Sequence, residues 1–488
     1  MMEDNHEACY AALKSKDPRF DGHFFVGVAS TGIYCRPVCR ARLPKPGNCT
    51  FFATAAEAER AGYRPCLQCR PELAPGSAPV DASRTLAHRT ARLLEENCGT
   101  IENLRELAAR LGCTDRHLRR VFAEEYHVSP IEYLQTCRLL LAKNLLTDTQ
   151  LSVLEVAMAA GFGSLRRFNA LFKKQYRLAP TALRRQAARG GQQDGQNAAV
   201  TLGYRPPYEW GKLLDFLSLR AIPGVELVQE NAYYRTVQLT LKDQKKAVGW
   251  IKAVNIPDKN ALKVTVSASL LAALPQVLSK VRLLFDLYCD PAVVSETLAV
   301  MNSIKPGLNV PGTRLPGCFD CFEMSVRAVL GQQITVKAAG TLAGRLAQAF
   351  GTPVQTEIQG LTHVFPTPEN ILALEGPISN HLGPLGIISA RAGTVHALAE
   401  FFAERTAEFG FTSDPDTEMK LLKELPGIGE WTAQYIAMRA LGWTDAFPAA
   451  DYGIKKALAP RTQKEIISLA DSWRPWRAYA AVNLWNSL

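Results

Sequence analysis

The stretch "LKELPGIGEWTAQYIAMRALGW" (residues 422–443) decides what the C-terminal part of this chain is. Leu-Pro-Gly-Ile-Gly interrupts a helical pattern and reads as the turn of a helix-hairpin-helix, with Pro426, Gly427 and Gly429 in the turn. Glycines there let the backbone approach a DNA phosphate, and the next helix offers unpaired N–H donors at its start. The turn alone does not imply chemistry, because a module that only binds DNA carries it equally well.

Working outward, 488 residues predict about three or four domains. The net charge of +10 favours a polyanionic partner, nucleic acid before an anionic membrane surface. The N-terminus carries acidic residues and lacks a basic start followed by an apolar run, so it is not read as a secretion signal. No charge-free apolar run is long enough for a membrane span, and no membrane partner is expected. Twelve cysteines in such a chain point to metal binding or catalysis before a disulfide framework. The expected location is a reducing, bacterial-type cytoplasm, at the nucleoid.

Composition and periodicity predict a multidomain protein. Residues 1–78 are loop-rich, a small zinc-bound α/β module being expected there from the resemblance given below, and 84–187 read as an all-α tandem helix-turn-helix domain. A Pro/Ser/Gly linker, "ELAPGSAPVDAS" (72–83), ends the first, and a polar linker at 188–200 ends the second. A small α+β domain spans 201–301 and an all-α helix-hairpin-helix domain spans 302–488.

Cys35 and Cys39 form a C-x3-C pair, and Cys66 and Cys69 a C-x2-C pair. Two close pairs can give four thiolates to one tetrahedral Zn²⁺, and spacing alone is satisfied by a purely structural site. The surrounding "DGHFFVGVASTGIYCRPVCRARLPKPGNCTFFATAAEAERAGYRPCLQCRPE" resembles the N-terminal repair module of the Ada family. That resemblance implies a sacrificial reaction, in which Cys35 accepts a methyl group from a DNA methyl phosphotriester while Cys39, Cys66 and Cys69 complete the zinc site. A zinc-bound thiol is deprotonated and so nucleophilic at neutral pH. Arg36, Arg40, Arg42 and Arg64 are the candidate phosphate clamps, and Cys49 is read as a packed or free thiol.

"IENLRELAARLGCTDRHLRRVFAEEYHVSP" (101–130) reads as helix, turn at Gly112, and second helix from Thr114/Asp115, presenting Arg116, His117, Arg119 and Arg120. "VLEVAMAAGFGSLRRFNALFKKQYRLAP" (153–180) repeats the plan and presents Ser164, Arg166, Arg167 and Asn169. Leu118, Val121, Phe122, Leu165, Phe168 and Phe172 are expected to face inward. Helical packing without DNA contact would satisfy either unit alone. The tandem pair resembles the AraC-type DNA-binding domain, which places each second helix in the major groove.

Past the hairpin comes "FPAADYGIKKAL" with Asp451. Residues 201–488, including "YRPPYEW", "RLPGCFDCFEMSVRAVLGQQ" and "SWRPWRAYAAVNLW", resemble the AlkA type of 3-methyladenine DNA glycosylase. The resemblance implies that Asp451 is the carboxylate stabilising an oxocarbenium-like sugar. It implies that Trp431, Tyr435, Tyr452 and Trp485 line the pocket for the extruded base, attracting cationic purines by stacking and cation–π forces. Trp431 stands where strand-cutting relatives carry lysine, so a monofunctional enzyme is expected. Gln333 takes the position of the wedge that fills the gap in the duplex. No clustered cysteines follow Cys321, so no iron–sulfur cluster is expected, and the Cys318/Cys321 pair is read as chance.

Together these features predict a repair protein and transcriptional regulator for alkylated DNA. Its partners would be damaged duplex and promoter DNA, with RNA polymerase a candidate. The competing possibility is a methylation-sensing transcription factor whose C-terminal half binds damage without catalysis. No P-C-H-R sequence occurs, so direct repair of guanine O6 is not expected.

Overall fold

The computed structural model describes residues 6–488 apart from 17–20, 22–23, 53–54, 72–78, 100, 102, 188–196, 242–244, 406–408 and 411–414. Most of each expected linker, 72–78 and 188–196, lies outside the described residues. The chain forms two units, 1–94 with 102–134, and 95–101 with 135–488.

In the first unit, α1 (His6–Ser15) precedes a four-stranded sheet of β1 (Phe25–Val28), β2 (Ile33–Cys35), β3 (Cys49–Phe52) and β4 (Arg64–Pro65), ordered β3-β1-β2-β4. The helix α2 (Ala55–Arg60) joins the last two strands. β4 runs parallel to β2, pairing Tyr34 with Pro65, and this register sets Cys35 beside Cys66. Leu13, Val26 and Cys49 are buried around the four motif cysteines. Cys49 also places its sulfur 3.4 Å from the Lys45 carbonyl.

The helix α3 (Pro79–Glu96) begins inside the expected linker, where a proline suits the first helical position. It leads to α4 (Leu104–Arg110) and α5 (Asp115–Tyr126). Gly112 makes the turn at φ 66°, and Thr114 caps α5 by accepting from the His117 N–H at 3.2 Å. Leu118, Val121 and Phe122 are buried as expected, and Tyr126 stacks on Phe122 at 4.6 Å. α6 (Pro130–Asp148) then opens on its proline.

The second unit takes up the chain within α6 and repeats the plan with α7 (Val153–Ala159), α8 (Leu165–Tyr176) and α9 (Pro180–Ala187). The first helix-turn-helix lies in the first unit and the second in the second unit. Ser152 and Glu155 form a capping box on α7, and Ser164 caps α8. Phe168 and Phe172 are fully buried, whereas Leu165, expected inward, is 37% exposed because it stands at the first position of α8.

This second helix-turn-helix shares one hydrophobic core with the α+β domain that follows. The contact is close. A Cβ on Gly161 would lie 2.8 Å from the Cys98 carbonyl oxygen, and one on Gly99 would lie 2.6 Å from a ring carbon of Pro275. The Thr201 N–H donates to Asp148 at 3.2 Å, and Arg138 donates to the Cys98 and Ile101 carbonyls at 2.7 and 2.6 Å.

The α+β domain is an antiparallel sheet ordered β5-β9-β8-β7-β6. Its strands are β5 (Ala198–Gly203), β6 (Glu226–Gln229), β7 (Ala232–Thr240), β8 (Lys246–Ile256) and β9 (Ala261–Val266). β5 starts within the expected second linker because Ala198, Val200 and Leu202 alternate inward. The helices α10 (Trp210–Leu219) and α11 (Leu274–Leu284) pack into the same core, and α12 (Pro291–Leu298) follows.

The remaining helices enclose a second large core. They are α13 (Cys321–Leu330), α14 (Val336–Phe350), the short α15 (Pro368–Leu372) and α16 (Ile378–Leu382), α17 (Ser389–Arg405), α18 (Pro415–Glu424), α19 (Glu430–Arg439), α20 (Tyr452–Ala457), α21 (Gln463–Ala470) and α22 (Arg477–Asn486). Buried ion pairs join this region to the sheet: Arg235 to Glu323 at 2.6 Å and Arg327 to Glu226 at 2.8 Å. Among the described residues no helix is long and apolar enough to cross a membrane.

Candidate functional sites

The first site is the cysteine cluster. Two tight turns build it, one closed by the Cys39 N–H on the Arg36 carbonyl and one by the Arg70 N–H on the Cys66 carbonyl. The Cys66 N–H donates to the Tyr34 carbonyl at 3.0 Å and ties the turns together. The sulfurs of Cys35, Cys39, Cys66 and Cys69 lie within 4.8 Å of one another, all buried. Hydrogen bonds from Cys35 and Cys69 hold the Cys39 thiol down at about 2, while the bond to Cys39, then that to Cys69, and burial push Cys35 far up. A soft dication at the centre would relieve this, so the donor set fits Zn²⁺.

Arg36 requires a correction. Expected as a phosphate clamp, it is 1% exposed and makes a two-pronged ion pair with Asp21, with Nε on Oδ1 at 2.8 Å. Its backbone N–H points at the Cys69 sulfur at 3.5 Å. The guanidinium therefore braces the cysteine turn from within. Arg36→Ala is expected to destabilise the first unit by about 3–5 kcal/mol, since it leaves a buried carboxylate unpaired. Thermal unfolding measures this, and the salt dependence of DNA binding, which a phosphate contact would change, stays the same. Arg40, Arg42 and Arg64 are exposed, with Arg40 3.3 Å from Glu124.

The second helices of the two helix-turn-helix units differ in charge. On α5, Arg119 pairs with Asp115 and Arg120 with Glu124, each at 2.9 Å, while Arg116 is exposed and His117 half-buried. α8 contains no acidic residue; Arg166, Arg167, Asn169 and Lys173 are all exposed on it. Ser164 accepts from the Arg167 N–H at 3.4 Å, so its hydroxyl is engaged in capping.

The third site surrounds Asp451. It caps α20, its Oδ1 accepting from the Gly453 and Ile454 N–H groups at 2.8 and 3.1 Å. The same oxygen accepts from the Trp485 indole at 2.8 Å, and Oδ2 accepts from the Trp431 indole at 3.1 Å. Four neutral donors thus hold the carboxylate between two expected pocket residues without neutralising it. A Cβ on Gly453 would sit 2.9 Å from the Trp485 ring, so only glycine leaves room for that indole.

Tyr435 stacks on Trp431 at 5.4 Å and 13° and lies 6.2 Å from Trp485. Burial alone would raise its phenol, but the guanidinium groups of Arg439, Arg220 and Arg327 outweigh it and hold the phenol below its usual value. Arg439 donates to the Tyr435 hydroxyl at 2.8 Å. Tyr452, expected in the same wall, is 79% exposed and makes no ring contact with the other three. It is the first residue of α20, and the cap turn directs it to solvent.

Sequence reasoning missed Phe216 and Arg220. Phe216 stacks on Trp485 at 6.1 Å and 27°, and Arg220 lies 3.7 Å over the Phe216 ring. Both belong to or follow α10, in the preceding domain, and no local pattern connects them to Asp451. At the hairpin, Gly427 has φ 81°. A Cβ there would lie 2.2 Å from the Thr394 hydroxyl, so packing demands glycine. Gly429 has open space around it and caps α19 without a side-chain bond. No contact within the protein requires glycine at 429, where glycine is acceptable as a helix N-cap. Gln333 is exposed at φ 57°. Cys318 is buried, and Cys321 points its sulfur toward the Ala440 carbonyl at 3.7 Å, both within the helical core.

Four family models match the chain. The metal binding domain of Ada covers 8–72, a helix-turn-helix domain 107–186, the AlkA N-terminal domain 199–320, and the HhH-GPD superfamily of base excision DNA repair proteins 326–461. A probable bifunctional transcriptional activator/DNA repair enzyme AlkA of Mycobacterium tuberculosis is 36% identical over 495 residues, covering 100% of this chain and 97% of that protein. DNA-3-methyladenine glycosylase 2 of Escherichia coli is 36% identical over 58% of this chain and 96% of its own length. The bifunctional transcriptional activator/DNA repair enzyme Ada of the same organism is 37% identical over 26% of this chain and 35% of its own.

Proposed function

The chain belongs to the family of bifunctional transcriptional activator/DNA repair enzymes, and on that premise we propose that it repairs alkylated DNA in two ways and regulates transcription. The domains assigned are 1–78, 84–187, 201–301 and 302–488, in the order acceptor module, promoter reader and two-part glycosylase.

The glycosylase reading rests on one observation above the others: a carboxylate held between two indoles beside an open helix-hairpin-helix turn. An alkylated purine extruded from the duplex would stack among Trp431, Tyr435 and Trp485. As the glycosidic bond breaks, its electron pair leaves with the base and the sugar becomes cationic. Asp451, already oriented, stabilises that charge without reorganising. Water then adds to the sugar carbon. No lysine stands at the Trp431 position to form a Schiff base, so the product is an intact strand with an abasic site. An alkylated duplex incubated with the full chain is expected to release free 3-methyladenine, with strand breaks appearing only after alkali. No release, or direct cleavage, overturns this assignment.

At the other end, Cys35, Cys39, Cys66 and Cys69 would hold one Zn²⁺, which when bound keeps the thiols deprotonated. The Cys35 sulfur gives an electron pair to the methyl carbon of a phosphotriester. The carbon–oxygen bond breaks and the phosphate leaves as an anionic diester. Four thiolates with one dication carry two net negative charges, and methylation removes one of them. Repulsion from DNA phosphates therefore falls after repair, which favours promoter binding by the helix-turn-helix pair and, through contact with RNA polymerase, activation.

A further inference from the structure

The loop that ends in Gln333 is tied to the hairpin by its neighbour. Gln332 Nε2 donates to the Gly427 carbonyl at 2.9 Å and to the Thr432 hydroxyl at 2.9 Å. These partners lie on the two sides of the phosphate-facing turn, one within it and one in the first turn of α19. Arg391 of α17 donates to the Gln332 carbonyl. Thr394, one turn further along α17, packs against Gly427. A single helix thus backs both the loop and the hairpin, and one amide group bridges them.

The bridge adjoins an unfavourable geometry. Gln333 sits in the left-handed region at φ 57°, which costs a non-glycine residue about 1–2 kcal/mol. Its side chain is exposed. Gln332, immediately before it, is fixed through both its side chain and its carbonyl.

We infer that Gln332 is a positioning residue that locks the Gln333 tip to the DNA-gripping hairpin, so that gripping a phosphate and entering the base stack are one rigid action. The inference rests on the glycosylase reading. Extruding a stacked, paired base costs a few kcal/mol. A tip on a free loop would recoil under that load, whereas a tip clipped to the point of grip transmits it. Gln332 touches neither Asp451 nor the stacked rings in the contacts described above, so it acts before bond cleavage.

The test uses the full chain and one alkylated base in two settings, a fully paired duplex and a bulge in which the base is already unstacked. Gln332→Leu removes both donated bonds at similar volume. Under single turnover with saturating protein, excision from the paired duplex is expected to fall about 10–100-fold, the value of two hydrogen bonds expressed in the barrier. Excision from the bulge stays within about twofold, as expected if the chemical step is intact. Gln332→Glu keeps the length, cannot donate to the Gly427 carbonyl, and is expected to show the same selective loss. Equal losses on both substrates would mean a general structural role and overturn the inference, as would no loss on the paired duplex. If the unaltered chain excises from neither substrate, the glycosylase reading itself fails and the inference falls with it.

Discussion

Asp451→Asn is expected to lower excision of 3-methyladenine by about 100-fold or more, the usual scale for removing a preorganised electrostatic group, with duplex binding retained. The geometry makes this substitution unusually clean. Asp451 also caps α20, and asparagine caps a helix about as well as aspartate. The Oδ1 contacts to Gly453, Ile454 and Trp485 therefore survive, while the charge disappears. The new amide does face the Trp431 N–H, donor against donor, so that indole is expected to shift and its fluorescence to change. Asp451→Ala serves as the comparison. It removes the cap as well and costs about 1 kcal/mol of helix stability. If Asp451→Asn excises at near-normal rates, the carboxylate is a cap and the catalytic assignment is wrong. If it no longer binds duplex, the loss of activity says nothing about charge, and binding must be measured in the same preparation.

The second large effect concerns Cys35. Zinc-loaded protein incubated with methyl-phosphotriester DNA is expected to carry a single methyl on the peptide containing Cys35, read by mass spectrometry. Cys35→Ala is expected to abolish transfer entirely. The other three cysteines serve as controls, because a site that only binds metal treats all four alike. A methyl found on Cys39, Cys66 or Cys69 would reassign the acceptor. No methyl with zinc still bound would return the cluster to a structural role. If transfer occurs, methylated protein is expected to bind promoter DNA more tightly than unmethylated protein at one fixed salt concentration, since the comparison is dominated by charge.

Several features were legible in the residues alone. The cysteine spacing, the turn glycines at 112 and 427 and the cap at Thr114 depend on short stretches of chain. Local chemistry of that kind leaves a local signature. The buried faces of α5 and α8 were legible for the same reason, because helical periodicity sorts Leu118, Phe122, Phe168 and Phe172 inward. The exception, Leu165, lies at a helix start, where periodicity has least hold.

Charge was read less well than position. Arg36 is expected from sequence to clamp phosphate, and Arg119 and Arg120 to be presented to DNA by a helix-turn-helix. Arg36 is sealed against Asp21, and the other two are paired along their own helix with Asp115 and Glu124. An arginine's role depends on whether a carboxylate reaches it. For Arg36 that carboxylate comes from a stretch preceding the sheet. Tyr452 shows the same limit for an aromatic: adjacency to Asp451 in sequence did not place its ring beside the others, because the cap turn sends the two side chains apart.

By itself, the sequence determined which chemical groups this protein owns and the local backbone that presents them: four thiols in two turns, two helix-turn-helix units, a glycine hairpin and one carboxylate. Tertiary structure alone decided how those groups are joined. It set the second helix-turn-helix into the core of the α+β domain through Gly161, Gly99 and Pro275. It brought Phe216 and Arg220 behind Trp485. It made Gln332 the bridge between the Gln333 tip and the hairpin. Each of these joins residues distant in the chain, and their pairing follows from how helices and sheet fill a common core, which no short-range periodicity encodes.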